Sequence, residues 1–385
     1  MIRQTVARVD LDAVRRNFRS ISDYLARERP DRPPKIIAVV KANGYGHGAG
    51  QVARALEDAG ADLLACADIE EGAALRAASV RAPILVFGAL SVSDLDGLFD
   101  CRLTPTISTP GAARAVQAAA ARYRQELRYH LKIDTGMNRL GFRFDNLGRT
   151  LPDLFAADHL QLEAVYTHFA TADDLGSPLF AEQRTRFDHA RAQVAQLHRA
   201  ARETMPARQP PVPPFYVHAA NSAALLRDSR VWYDRVRPGL LLYGLVPPPL
   251  ATTLELRPAL SLVSRIVAVK GMRPGEGAGY GIRFVAERPA TIAIVPAGYA
   301  DGIDVRLAGR GSVLIRGRRA PIVGSVCMDM LTVDVTGMDV SPGDEVVIIG
   351  EQDGNRIDVR EMAAQIGTIP YEILCRIGSR IERVY

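Results

Sequence analysis

Lysine is nearly absent from this 385-residue chain: of its 48 lysines and arginines, only Lys35, Lys41, Lys132 and Lys270 are lysine. Arginine keeps its proton near neutral pH, whereas a lysine can lose it and form a Schiff base. A chain that uses arginine wherever a cation suffices keeps lysine for positions that need an amine. Cysteine is sparse too. Cys66, Cys101, Cys327 and Cys375 lie far apart with no CxxC or Cys/His ligand spacing, which points to reduced thiols and no metal. Long hydrophobic runs are missing: the opening MIRQTVARVDLDAVRRNF has no signal-peptide core, and no later run is long enough to span a membrane. A cytoplasmic protein is the expectation. No basic block with interleaved aromatics occurs either, since the net charge of +5 comes from scattered arginines with acids between them. That pattern speaks against nucleic acid as a partner; a small anionic substrate suits it equally well.

What is present is length for two domains and, at 48% hydrophobic residues, material for a large core. Arg3 to Val9 alternates like a short strand, and Leu11 to Arg27 repeats Leu11, Val14, Phe18, Ile21 and Leu25 at helical spacing after a possible cap at Asp10 or Asp12. Strand-like runs then follow at 35–41, 62–68, 83–88, 103–107, 128–134, 162–169, 215–219 and 235–239, with helical patterns such as 50–59, 69–78, 110–124 and 180–202 between them. Eight strands, most followed by a helix, predict a (β/α)8 TIM-type barrel rather than an open doubly wound sheet. Pro210–Pro214 reads as a loop into a barrel strand. After Pro247–Pro249 the pattern changes to short strands and glycine-rich turns, LSLVSRIVAVK, ATIAIVPAGY, GSVLIRG, MLTVDV and DEVVIIG, with one helical stretch at Val359–Ile366. The expected division is a barrel over 11–246 and a C-terminal mainly-β domain over 247–385 joined by the N-terminal strand 1–10.

The central stretch is AVVKANGYGHGAG, Ala38 to Gly50: a fully apolar run, Lys41 where it stops, and a glycine-broken turn with Tyr45 and His47. A barrel gathers its chemistry at the C-terminal ends of its strands. There stand Lys41 after the first strand, Lys132 and Asp134 on the fifth, His168 on the sixth, Ser222 after the seventh and Arg237 on the eighth. Taken alone, DTG (134–136) is also an ordinary turn, His168 an ordinary core histidine, Ser222 a helix cap, and Tyr280 a strand tyrosine beside glycines.

The motif VVKANGYGHG, followed in order and spacing by LKIDTGMNRLGF, AVYTHFATAD, HAANSAA, DRVRPG, EGAGYGIRF, PAGYADG and CMDM, resembles bacterial alanine racemases over nearly the full chain. The resemblance implies a pyridoxal phosphate (PLP) enzyme with Lys41 as the cofactor lysine and first catalytic base, and Tyr280 as the second. It assigns Tyr45, Ser222 and Gly239 to the cofactor phosphate and Arg139 to its phenolic oxygen and the substrate carboxylate. Met328 and Asp329 line the carboxylate side, and His168 packs near the cofactor ring. Lys132 matches a lysine often carbamylated in the family, Asp173 a position near the active-site mouth, and Tyr299 one in the loop lining the way in. Arg237 matches the arginine facing the pyridine nitrogen; because a guanidinium can only donate, that nitrogen is expected to stay unprotonated, favouring reprotonation at Cα.

The resemblance further implies a head-to-tail homodimer in which Tyr280 and CMDM come from the partner, and a role in supplying D-alanine for peptidoglycan. A tyrosine common in relatives is replaced by Ser379. Alternatives are a racemase with serine or broader specificity and a non-catalytic PLP-binding barrel.

Overall fold

The computed structural model describes residues 4–90, 95–204 and 214–385. Its chain divides into two compact units. One comprises 14–44 and 49–256; the other combines the N-terminal residues to Ala13, Tyr45–Gly48 and Arg257–Tyr385. The first unit thus runs on to Leu256, and the short Tyr45–Gly48 segment belongs with the β-rich unit.

In the first unit eight parallel strands close on themselves. They are Lys35–Val39, Leu63–Cys66, Ile84–Val86, Thr104–Ile107, Leu127–Asp134, Leu160–Tyr166, Tyr216–Asn221 and Arg235–Arg237, each paired with the next and the last with the first. Strands buried on both faces carry apolar runs without polar alternation: every residue of Leu63–Cys66 and Ile84–Val86 is buried. The helices between them start on local signals. Thr109 accepts from the Ala112 N–H ahead of Pro110–Tyr123, and Asp68 accepts from the Glu71 N–H ahead of Ile69–Ala77. Register across the fifth to eighth strands aligns Lys132 with Tyr166, Tyr166 with His218, and His218 with Arg235. Apart from Pro214, the loop expected at Pro210–Pro214 lies outside the described residues.

The second unit is a long, mostly antiparallel sheet. Its order is Ala268–Met272, Ala290–Val295, Leu331–Asp334, Arg318–Val323, Ser312–Ile315, Glu345–Gln352, Leu260–Arg265, Val6–Val9 and Glu382–Val384. Val6–Val9 pairs antiparallel with Leu260–Arg265 and parallel with Glu382–Val384. Helix Val359–Ile366 is capped by Asp358 at its start and closed by Gly367 at φ 68°. Among the described residues no helix is long and apolar enough to cross a membrane.

Candidate active site

After the first barrel strand the backbone turns left-handed. The strand ends at Val39, earlier than the expected Lys41, because the chain leaves the sheet there; Val40 still donates to the Ala65 carbonyl at 2.8 Å. Ala42, Asn43, Gly44 and Tyr45 then have φ of 53°, 53°, 62° and 52°, and the Gly44 N–H closes the turn on the Val40 carbonyl at 2.9 Å. Half-buried Lys41 opens this turn.

On the fifth strand Lys132 is 5% exposed, its Nζ 5.7 Å from the centre of the Tyr166 ring. Burial, then the charges of Arg139, Arg237 and Lys41, lower its amine to about 8 against the pull of Asp134. Asp134 itself organises the following turn: one carboxylate oxygen accepts from the N–H groups of Gly136, Met137 and Asn138 at 2.9, 3.0 and 3.1 Å. The turn reading of DTG is thus correct for Asp134, and it leaves Arg139 exposed beyond the turn.

Arg237 is buried, and among the described residues each of its hydrogen-bond partners is neutral. Nη1 donates to His218 Nδ1 at 2.7 Å; Nη2 donates to the carbonyls of Thr167 and Ala219 at 2.9 and 2.8 Å and, at 3.3 Å, to His168 Nδ1. Burial lowers the guanidinium to about 10, so it stays charged at neutral pH. His168 is pushed well below the ordinary histidine range by burial and then by Arg237, Lys132, Arg139 and Lys41, which makes it a neutral ring. The same four cations act on one rim, and the nearby carboxylate, Asp134, is already engaged by three backbone donors. Such an excess of positive charge is a site for an anion.

Ser222 and Gly239 form the second part. Asn221, and not Ser222, caps the short helix after the seventh strand, its Oδ1 accepting from the Ala224 N–H at 2.9 Å. The buried Ser222 hydroxyl instead accepts from the Gly239 N–H at 2.9 Å. A hydroxyl and a backbone N–H are thereby paired beside the strand that carries Arg237.

The β-rich unit holds the remaining expected residues. Tyr45 is buried there, its ring tilted against Tyr371 with centroids 5.9 Å apart. Tyr280 is 78% exposed, and its carbonyl accepts from the Ser325 hydroxyl at 2.7 Å. The PAGYADG and CMDM loops are bound together: Tyr299 and Ala300 donate to the carbonyls of Cys327 and Met328 at 2.9 and 3.1 Å. A Cβ on Gly298 would lie 2.3 Å from those same two carbonyl oxygens, so only glycine fits. Met328 is exposed, and Asp329 pairs with Arg380 at 2.7 Å, next to exposed Ser379. Asp173 is exposed on the barrel unit.

Four residues of the site escaped the sequence reading: Glu71, whose carboxylate accepts from the Ala42 N–H at 2.7 Å; Tyr166, whose ring lies 5.7 Å from Lys132 Nζ; and His218 with His130, whose Nδ1 lies 3.0 Å from His218 Nε2. Period-two alternation along YHLK does put His130 on the same strand face as Lys132, and this was the available signal.

The parallel barrel, the amine at its rim and the surrounding cations define a barrel enzyme acting on an anionic cofactor or substrate. The chain belongs to the alanine racemase family: residues 9–247 match the family's N-terminal domain and 259–385 its C-terminal domain. It is 41% identical to the alanine racemase of Symbiobacterium thermophilum, covering 100% of this chain and 97% of that one. Among solved structures it resembles the alanine racemase of D-cycloserine-producing Streptomyces lavendulae, with 35% identity, a TM-score of 0.91 and coverage of 100% and 97%. It also resembles that of Bartonella henselae with covalently bound pyridoxal phosphate, with 27% identity, a TM-score of 0.84 and coverage of 99% of both chains.

Proposed function

We propose that this chain interconverts L- and D-alanine with pyridoxal phosphate at the C-terminal rim of its barrel, as a homodimer whose sites draw on both subunits, and that it supplies D-alanine for peptidoglycan. The observation that carries this reading is the rim of Lys41, Lys132, Arg139 and Arg237, in which the buried arginine meets only neutral partners. The residues fit the cofactor: the cationic excess suits its dianionic phosphate and phenolate, the Ser222 hydroxyl and Gly239 N–H suit the phosphate, and Lys41 is the amine for its aldehyde.

When bound, the cofactor supplies an electron sink that acidifies the substrate Cα–H. The protein supplies direction. Lys41 takes or returns the Cα proton on one face, and Tyr280 of the partner subunit on the other, since inversion needs acid/base groups on opposite faces. Arg237 would face the cofactor's ring nitrogen and, able only to donate, would leave it without a proton. His168, holding its lone pair toward Arg237, carries its proton on Nε2 and can stabilise a phenolate. Arg139 binds the substrate carboxylate, with Met328 and Asp329 of the partner subunit on that side. The exposure of Tyr280, Ile282, Met328 and Met330 at 78, 56, 52 and 48% supports a covering partner.

The test is Cα-proton exchange in heavy water with added PLP, followed by NMR beside a chiral assay for L-alanine, D-alanine and L-serine. Exchange with inversion, fastest for alanine, is expected. A cofactor-bound protein that neither exchanges nor inverts any amino acid would replace this reading with a PLP-binding barrel.

A further inference from the structure

The turn after Lys41 is improbable for the residues that form it. Most L-residues disfavour the left-handed region and those that tolerate it visit it singly, whereas here Ala42 occupies it and Asn43 and Gly44 follow in succession. Something must hold the turn. One carboxylate does so from both sides: Glu71 Oε1 accepts from the Ala42 N–H at 2.7 Å, and its Oε2 accepts from the Ala67 N–H at 2.8 Å. Ala67 directly follows the second barrel strand, the neighbour of the strand that leads to Lys41. Glu71 is itself fixed, because its N–H donates to the capping Asp68 at 2.8 Å in the first turn of helix Ile69–Ala77. Two further ties are local, from Gly44 N–H to Val40 and from Ala49 N–H to Asn43 Oδ1 at 2.9 Å.

We propose that Glu71 is a positioning residue for Lys41: by bridging the Ala42 and Ala67 N–H groups it locks the left-handed turn that fixes where the Lys41 backbone leaves the barrel. The inference rests on the reading of Lys41 as the reactive amine. It requires both carboxylate oxygens. A glutamine offers one acceptor oxygen and turns an NH2 toward the other N–H, so Glu71→Gln should behave like Glu71→Ala rather than like the parent. It also predicts a rescue: glycine adopts the left-handed region without penalty, so Ala42→Gly should replace part of what Glu71 supplies.

The experiment measures how fast the apo-protein covalently captures pyridoxal phosphate, with the attachment site mapped by peptide mass spectrometry after borohydride reduction. Deuterium exchange at the Ala42 and Ala67 amides serves as a second, cofactor-free readout. In both Glu71 variants capture at Lys41 should slow roughly tenfold, the penalty of one non-glycine residue in the left-handed region. Both amides should lose protection while the helix circular dichroism is kept. Ala42→Gly added to Glu71→Ala should restore most of the capture rate, and alone should leave it within about twofold of the parent. A capture rate unaffected by Glu71→Ala overturns the proposal, as does a slowed rate that Ala42→Gly fails to recover. Attachment of the cofactor to another lysine in the parent protein would instead sink the reading of Lys41 itself.

Discussion

Lowering the pH from 7.5 to 5.5 should cost the apo-protein about 3 kcal/mol of stability through two imidazoles alone. His218 is buried, with Nδ1 facing the Arg237 guanidinium at 2.7 Å and Nε2 facing His130 at 3.0 Å; burial and then Arg237 hold it well below the usual histidine range. His168 is held low in the same way, by burial and then the rim cations. Both rings are neutral in the folded protein, while in the unfolded chain each takes up a proton near 6.5. Below that value the unfolded state binds more protons, so stability rises with pH. The contribution is complete above about 6.5 and is lost progressively as the pH falls below it. At pH 5.5 each ring favours unfolding by roughly 1–2 kcal/mol, against a total stability on the order of 5–15 kcal/mol. Urea midpoints at pH 7.5, 6.5 and 5.5, compared with those of His218→Asn, isolate the effect because the carboxylates titrate alike in both proteins. The variant should lose roughly 1–2 kcal/mol less than the parent over this range. Identical pH dependence, or a His218 ring that titrates near 6.5 in the native state by NMR, would refute the reasoning.

Tyr280→Phe should slow Cα exchange from L-alanine more than from D-alanine in heavy water; equal loss in both directions contradicts the one-face assignment. Ser222→Ala should weaken PLP binding by about 10- to 100-fold, the worth of a hydrogen bond to a charged group, in an equilibrium titration, and an unchanged dissociation constant would remove Ser222 from the phosphate site. Lys132, with its amine near 8, is roughly one-tenth neutral at pH 7 and so open to carbon dioxide. Protein equilibrated with isotopically labelled bicarbonate should show a carbamate resonance that Lys132→Ala abolishes; its absence from the parent protein overturns carbamylation.

How much of this was legible depended on whether the signal was local. The barrel strands announce themselves because a strand buried on both faces needs only apolar residues, as in Leu63–Cys66. Helix Val359–Ile366 is readable at both ends, from Asp358 and Gly367. The strand Arg318–Val323 is not, because its two arginines and Pro321 break the pattern; Pro321 is tolerated opposite Ser312 in a sheet context the sequence does not display. Lys41, His168 and Arg237 follow from strand ends and motif spacing. The groups that hold them do not: Glu71 reaches Ala42 across 29 residues, and His218 reaches His130 across 88. Nor do the glycines around Tyr45 disclose that Ala42 and Asn43 are left-handed as well.

The direction of the buried hydrogen bonds follows from Arg237 alone. A guanidinium has no lone pair to offer, so each imidazole facing it must present one. His168 and His218 therefore both accept at Nδ1 and carry their protons on Nε2. The His218 proton points at His130 Nδ1, which must be a lone pair in turn, so His130 is neutral and protonated on Nε2, in keeping with the downward shift that burial imposes on it. That N–H has the Tyr216 hydroxyl at 2.9 Å and Glu163 at 3.5 Å. Burial raises the Glu163 carboxyl, but the His130 N–H and the charges of Arg128 and Arg235 bring it below its ordinary range, so it remains an anion. From Arg237 the chain thus runs through two neutral rings, His218 and His130, before it reaches the anionic Glu163. A carboxylate in direct contact with Arg237 would neutralise it where the anion-binding site needs it. Two neutral imidazoles and two backbone carbonyls accept from it and leave the charge in place.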